Sequence, residues 1–199
     1  MRDDPNKRKQ EILTIAARIF RQKGFNATSM NDLANECGLF KGSLYHYFKN
    51  KEQILQEVIQ LYFDYLLPYL EPINSSKELP TEKLRMSLEI QMRAIEVNRD
   101  AVSVTLREDR ALENPYREAY IAQRNRLEDH LVGILEEGIE KGMFRKVDIR
   151  MTTKAILGMC NWAAIWYSRT GRLSAKAIAE HFTDLAMSGL ETNHRSRLD

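Results

Sequence analysis

Residues 41–47 read KGSLYHY, and their spacing sets two kinds of side chain apart. On a short helix Leu44 and Phe48, four residues apart, point inward. That leaves Lys41, Gly42, Ser43, Tyr45, His46 and Tyr47 around the outer surface. Hydroxyls and a lysine can contact phosphates, while Gly42 permits close approach of backbone to a base edge, so this surface suits DNA. The bland alternative is a solvated helix with stray tyrosines, but two tyrosines and a histidine exposed together favour binding. Other chemistry has little support. No GxSxG elbow, HExxH helix, P-loop or GxGxxG is present. His46, His130, His181 and His194 are scattered without metal spacing, and Cys37 and Cys160 form no CxxC pair. A Cys160–His181 dyad fails on environment, because apolar surroundings raise a thiol's pKa. No enzyme, metal or cofactor is expected.

The elements that must position this surface are legible around it. Ser29 with Asp32 forms a capping-box pattern that opens a short helix through Glu36. Leu33, Ala34 and Cys37 make its inner face, Gly38 can take the positive φ of a turn, and Leu39 plugs the junction. Residues 29–48 thus have the layout of a helix-turn-helix. A preceding helix over Lys7 to Lys23 carries Ile12, Ile15, Ala16, Ile19 and Phe20 on one face, with Gly24 as its stop. Charge follows the same division. The overall +2 hides ten Lys/Arg against six Asp/Glu in residues 1–52, and 20 against 22 in the remainder. A basic end on a near-neutral body fits a phosphate-binding module attached to something else.

The 199-residue chain is 43% hydrophobic and 29% charged, with nine glycines and five prolines, a balance that favours long helices over sheet. No run alternates convincingly for a strand, so the chain is expected to be all-α, with about nine helices. Pro68, Pro72 and Asn74–Lys77 mark a break after the helix that Asn50 and Gln53 open, and Pro80-Thr81 starts the next. A kink or helix boundary is expected near Asn98-Arg99-Asp100, leading into a helix with Val102, Thr105 and Leu106. Asn114-Pro115 reads as an N-cap and N1 pair for a helix ending at Gly142. Asp148 starts another through Ser168, apolar on nearly every side and so expected to be buried all round. Ser174 caps the last, with Ile178, Ala179, Phe182, Leu185 and Ala186 in its stripe. Residues 191–199 form a polar tail. With no apolar leader and no stretch long enough to span a bilayer, the chain reads as cytoplasmic. Gln91, Arg124 and Asn161 each interrupt an apolar stripe; each is either a hydrogen-bonded core residue or a pocket group that orients a ligand.

Ala17 to Leu55 resembles the DNA-binding domain of the TetR family of bacterial repressors. The match runs through Ala17, Phe20, Gly24-Phe25, Thr28-Ser29-Met30, Leu33-Ala34, Cys37-Gly38-Leu39, Lys41 to Phe48 and Asn50-Lys51-Glu52. The resemblance implies a DNA-binding domain over residues 1–52 and a ligand-binding and dimerisation domain over 53–190. It further implies a homodimer through the last two helices, a near-palindromic duplex operator, and release by a small-molecule effector. Carried onto this sequence, it makes Lys41, Gly42 and Ser43 the base-edge readers. Tyr45, His46 and Tyr47 become contacts to phosphate or thymine methyls, and Thr28 and Lys51 clamps on the DNA backbone. Phe40 departs from the pattern: it stands where the family commonly has a capping Ser or Thr, and its other use is to pack against the first helix.

A looser resemblance covers residues 107–172. Arg124-Asn125-Arg126, Gly142-Met143-Phe144 and Gly158 to Trp162 with Trp166-Tyr167 look like TetR regulators that respond to acyl-coenzyme A thioesters. It implies cations for the coenzyme's phosphates, among them Arg107 and Arg124, and an acyl tunnel lined by Met92, Tyr120, Trp162 and Trp166. A different hydrophobic effector, and a DNA-binding protein without an effector, are the alternatives.

Overall fold

The computed structural model describes residues 5–191, which form eight α-helices and one short 3-10 helix. The helices are α1 (Pro5–Lys23), α2 (Met30–Glu36), α3 (Lys41–Tyr47), α4 (Lys51–Asn74), α5 (Pro80–Glu108), α6 (Tyr116–Glu140), α7 (Ile149–Trp166) and α8 (Ala175–Leu190). The ninth expected helix is absorbed into α5, which continues across a non-helical Asn98 (φ −126°, ψ 40°) at the anticipated kink. Most of the polar tail, from residue 192, lies outside the described residues.

The chain divides into two compact units, Met1–Asp64 with Asn98–Ala122 and Tyr65–Val97 with Gln123–Asp199. In the first, α1 buries Ile12, Leu13, Ala16, Ala17, Ile19 and Phe20, while the expected Ile15 is only half-buried. Phe20 meets Phe25 edge-on at 5.4 Å. Between them Gly24 adopts φ 83°, a left-handed conformation that costs a β-carbon-bearing residue dearly. The unit is tied further by ion pairs from Lys9 to Glu57 (2.7 Å) and Arg21 to Asp100 (2.5 Å), and by the Phe25 amide donating to Glu108 (3.2 Å).

The expected break at Pro68 and Pro72 does not occur, and both prolines lie inside α4. Each removes a helical hydrogen bond and crowds the preceding turn. Both sit on the exposed face, where freed carbonyls can turn to water, while Leu66, Leu67, Leu70 and Ile73 are buried on the other side and hold the helix. At the start of α6 the helix begins at Tyr116, past the expected N1 proline, and the Asn114 amide donates to Glu118 (2.9 Å).

In the second unit Lys83, nearly inaccessible, donates to the Asn74 carbonyl (2.9 Å) and to Glu137 (2.8 Å), pinning the last turns of α4 and α6 to α5. Phe144 folds back over Gly138, where a β-carbon would stand 2.0 Å from its ring, so only glycine fits. Asp148 and Ser174 cap α7 and α8 as expected, accepting from the amides of Met151 and Ala177.

Candidate nucleic-acid interface

The capping box at α2 forms as the sequence predicts. Ser29 Oγ accepts from the Asp32 amide (3.1 Å), and the Asp32 carboxylate accepts from the Ser29 amide (2.8 Å). Those bonds, the Ser29 hydroxyl first, hold the Asp32 carboxyl below its ordinary pKa. Gly38 turns the chain at φ 62°, and the Leu39 amide donates back to Ala34 (2.8 Å). The result seats α2 against α3, with Leu33, Ala34, Cys37, Leu44 and Phe48 buried. Burial pushes the Cys37 thiol up, which keeps it protonated and apolar in behaviour. On the opposite side Lys41, Gly42, Tyr45 and His46 are exposed, with Ser43 and Tyr47 half-buried beside them. All six residues of the expected surface therefore share one short helix and one outer side.

Three neighbours behave differently from expectation. Thr28 is buried, and its hydroxyl donates to the Gly24 carbonyl (2.8 Å). Lys51 donates to the carbonyls of Phe25 (2.8 Å) and Thr28 (2.7 Å), with its ammonium 4.2 Å from the Phe25 ring centre. Both side chains expected to clamp the DNA backbone thus have internal partners: they fix the α1–α2 loop onto the start of α4. Phe40 does not pack on α1. It is 88% exposed at the N-cap of α3, in extended backbone and without a side-chain cap.

The residues expected to meet an effector fall in different surroundings. Met92 is fully buried, and Gln91 is buried with its amide nitrogen unpartnered. Both belong to the second unit, as do Arg124, Asn161, Trp162 and Trp166, whereas Arg107 and Tyr120 belong to the first. Arg107 and Arg124 are exposed, and Arg124 pairs with Glu128 (3.6 Å). Tyr120 is half-buried against the Phe63 ring at 6.1 Å. Asn161 is half-buried. Trp162 and Trp166 are 64% and 47% exposed, so α7 is not covered all round: with Ala155, Gly158 and Ile165 they leave an apolar stripe open on this single chain. Leu185 is exposed on α8, while Ile178 and Ala179 are buried.

One polar group was overlooked in the sequence. His130 is buried between α6 and α5, with Nε2 at 2.8 Å from the Ser87 hydroxyl and Nδ1 unpartnered. Burial lowers its pKa to about 4, so it is neutral at ordinary pH. The signal was present: His130 occupies the apolar phase of α6 beside Leu127, Leu131 and Ile134. Cys160 is also fully buried and its thiol is pushed up to about 12, which removes it as a nucleophile. Among the described residues no cluster of His, Cys, Asp and Glu could hold a metal ion, and no helix is long and apolar enough to cross a membrane.

Two family models match the chain. Residues 12–58 match the bacterial regulatory proteins of the tetR family, and residues 77–190 match the tetracyclin repressor-like C-terminal domain. The chain belongs to the TetR family. It is 31% identical to the transcriptional repressor KstR2 of Mycolicibacterium smegmatis, over 94% of this chain and 92% of that protein. Its fold matches the TetR regulator PfmR of Thermus thermophilus with a TM-score of 0.83 and 38% identity, covering 90% of this chain and 98% of that one. A third likeness, at a TM-score of 0.79 and 28% identity, covers 89% of this chain and 97% of AibR, crystallised with isovaleryl coenzyme A and operator DNA. This TetR chain is a DNA-binding transcriptional repressor, and its relatives are regulators rather than enzymes.

Proposed function

We propose that this TetR repressor binds its operator as a homodimer and is released by an acyl-coenzyme A thioester. Lys41, Gly42 and Ser43 read base edges, while Tyr45, His46 and Tyr47 meet phosphates and thymine methyls. Two copies of α3 enter successive major grooves about 34–36 Å apart on a near-palindromic site. The dimer closes over the open stripe of α7 and α8, since an apolar face of this size on one chain needs a cover. The observation that carries the effector class is AibR, a structural relative seen with both isovaleryl coenzyme A and operator DNA. The second unit of this chain offers the matching chemistry. The buried, unpartnered Gln91 amide can orient a thioester carbonyl, Met92 supplies an adaptable apolar wall, and Arg124 supplies a cation for phosphate. Effector binding shifts α4, the helix that starts beside the DNA-binding helices, and favours a spacing of the two α3 helices that no longer fits both grooves.

The test is a thermal-shift screen of the purified protein with coenzyme A thioesters of several acyl lengths, beside the free acids. A ligand at a hundred times its dissociation constant stabilises by about 2.7 kcal/mol. A shift with one thioester, none with its acid, and loss of that shift in Gln91→Ala is the expected result. A flat thioester series beside a responsive free acid or other apolar compound reassigns the effector. A flat screen throughout leaves the repressor without this class of signal.

A further inference from the structure

Leu44 within α3 and Phe48 at its C-cap are buried, and Phe40 lies four residues before Leu44 in the same i, i+4, i+8 series. A helical continuation would turn Phe40 inward with them. Instead it takes φ −72°, ψ 147°, extended backbone that swings the ring out to 88% exposure. The same residue leaves a helix of only seven residues without a side-chain cap, where a serine or aspartate would supply one. Two local costs, an uncovered aromatic ring and a missing cap, thus fall on one position. That position directly precedes Lys41, Gly42 and Ser43.

Resting on the reading that α3 lies in the major groove, we infer that Phe40 is a specificity-determining residue that packs on the C5-methyl of an operator thymine. The thymine methyl is the apolar feature that a base pair displays in the major groove, and an aromatic side chain is one of the groups that reads it. A serine or threonine at this place would bond to phosphate and carry no sequence information. Phe40 has no polar atom to offer phosphate, so its contribution is to base choice. The preferred thymine lies at the edge of the half-site that meets the N-terminus of α3.

The full-length chain would first select its own site from a random duplex pool. Each symmetric pair of thymines in that site is then replaced by deoxyuridine, which removes only the methyl groups. Dissociation constants are read by fluorescence anisotropy for the wild type, Phe40→Leu and Phe40→Ser. Burying one methyl group is worth about fourfold in affinity per half-site. One thymine pair should show that loss in the wild type and in Phe40→Leu, and none in Phe40→Ser, whose hydroxyl restores a cap and protects folding. Uridine without effect at every position, an equal effect in all three proteins at every thymine that responds, or a selected site with no preferred thymine overturns the assignment to Phe40. A chain that enriches no duplex overturns the placement of α3 itself, which separates the two failures.

Discussion

At the scale of single residues, two lysines ten positions apart have different work. Lys41 is exposed on α3, and Lys51 is held by two carbonyls and a ring. Lys41→Ala should therefore flatten the preference between the selected site and its single-base variants, with folding unchanged; competition binding measures this. Lys51→Ala should lower unfolding stability by about 2 kcal/mol for two charge-assisted bonds, read as a lower urea midpoint. A Lys51→Ala protein of wild-type stability with a shallower salt dependence of DNA binding would make Lys51 a phosphate contact after all. The sequence announced Lys41 because its helix is local, a matter of four-residue spacing. It hid the partners of Lys51 because a flexible cation reaching 23 and 26 residues back leaves no periodic trace. Ser29 with Asp32 was legible for the opposite reason, its bonds spanning three residues.

At the scale of elements, the α5–α6 contact carries a titratable group that the family's DNA chemistry does not use. His130 has a folded pKa of about 4, below its unfolded value of about 6.5. Between those values the unfolded chain binds the extra proton, so stability falls as pH drops from about 6.5 towards about 4 and is independent of this group above that window. The slope from this one group is about 1.4 kcal/mol per pH unit. Urea melts at pH 7.5, 6 and 5 should show His130→Gln losing less stability than the wild type over the acid half of the range. Parallel slopes would mean that His130 titrates alike in the folded and unfolded chains. Helix boundaries show what sequence carries at this scale. Asp148 and Ser174 were readable as caps because a cap is set by its own side chain. Pro68 and Pro72 misled because a proline's local penalty says nothing of the four buried side chains that outweigh it.

At the scale of the whole molecule, the open stripe of α7 and α8 is where the proposed dimer is tested. A helix apolar on every side was expected to be buried on every side, and on one chain Trp162, Ile165 and Trp166 are not. On the proposed reading a second copy covers it, as dimerisation in the TetR family suggests. Trp162→Lys should yield monomers by analytical ultracentrifugation at micromolar concentration, with helix content retained and operator affinity lost. A Trp162→Lys protein that stays dimeric and loses its thioester shift would instead put Trp162 in the effector pocket. Sequence reached the greasy composition of α7 but not which residues face outward, because that depends on which side its neighbours occupy.

The grip of Lys51 on the α1–α2 loop has a mechanical consequence. With the Arg21–Asp100 pair and the Phe25 amide on Glu108, it fastens α1, the start of α4 and the far end of α5 at points spread around one loop. The reading head is therefore riveted rather than hinged at its base. A turn imposed on the start of α4 would pull on the loop that leads into α2, the partner against which α3 is seated.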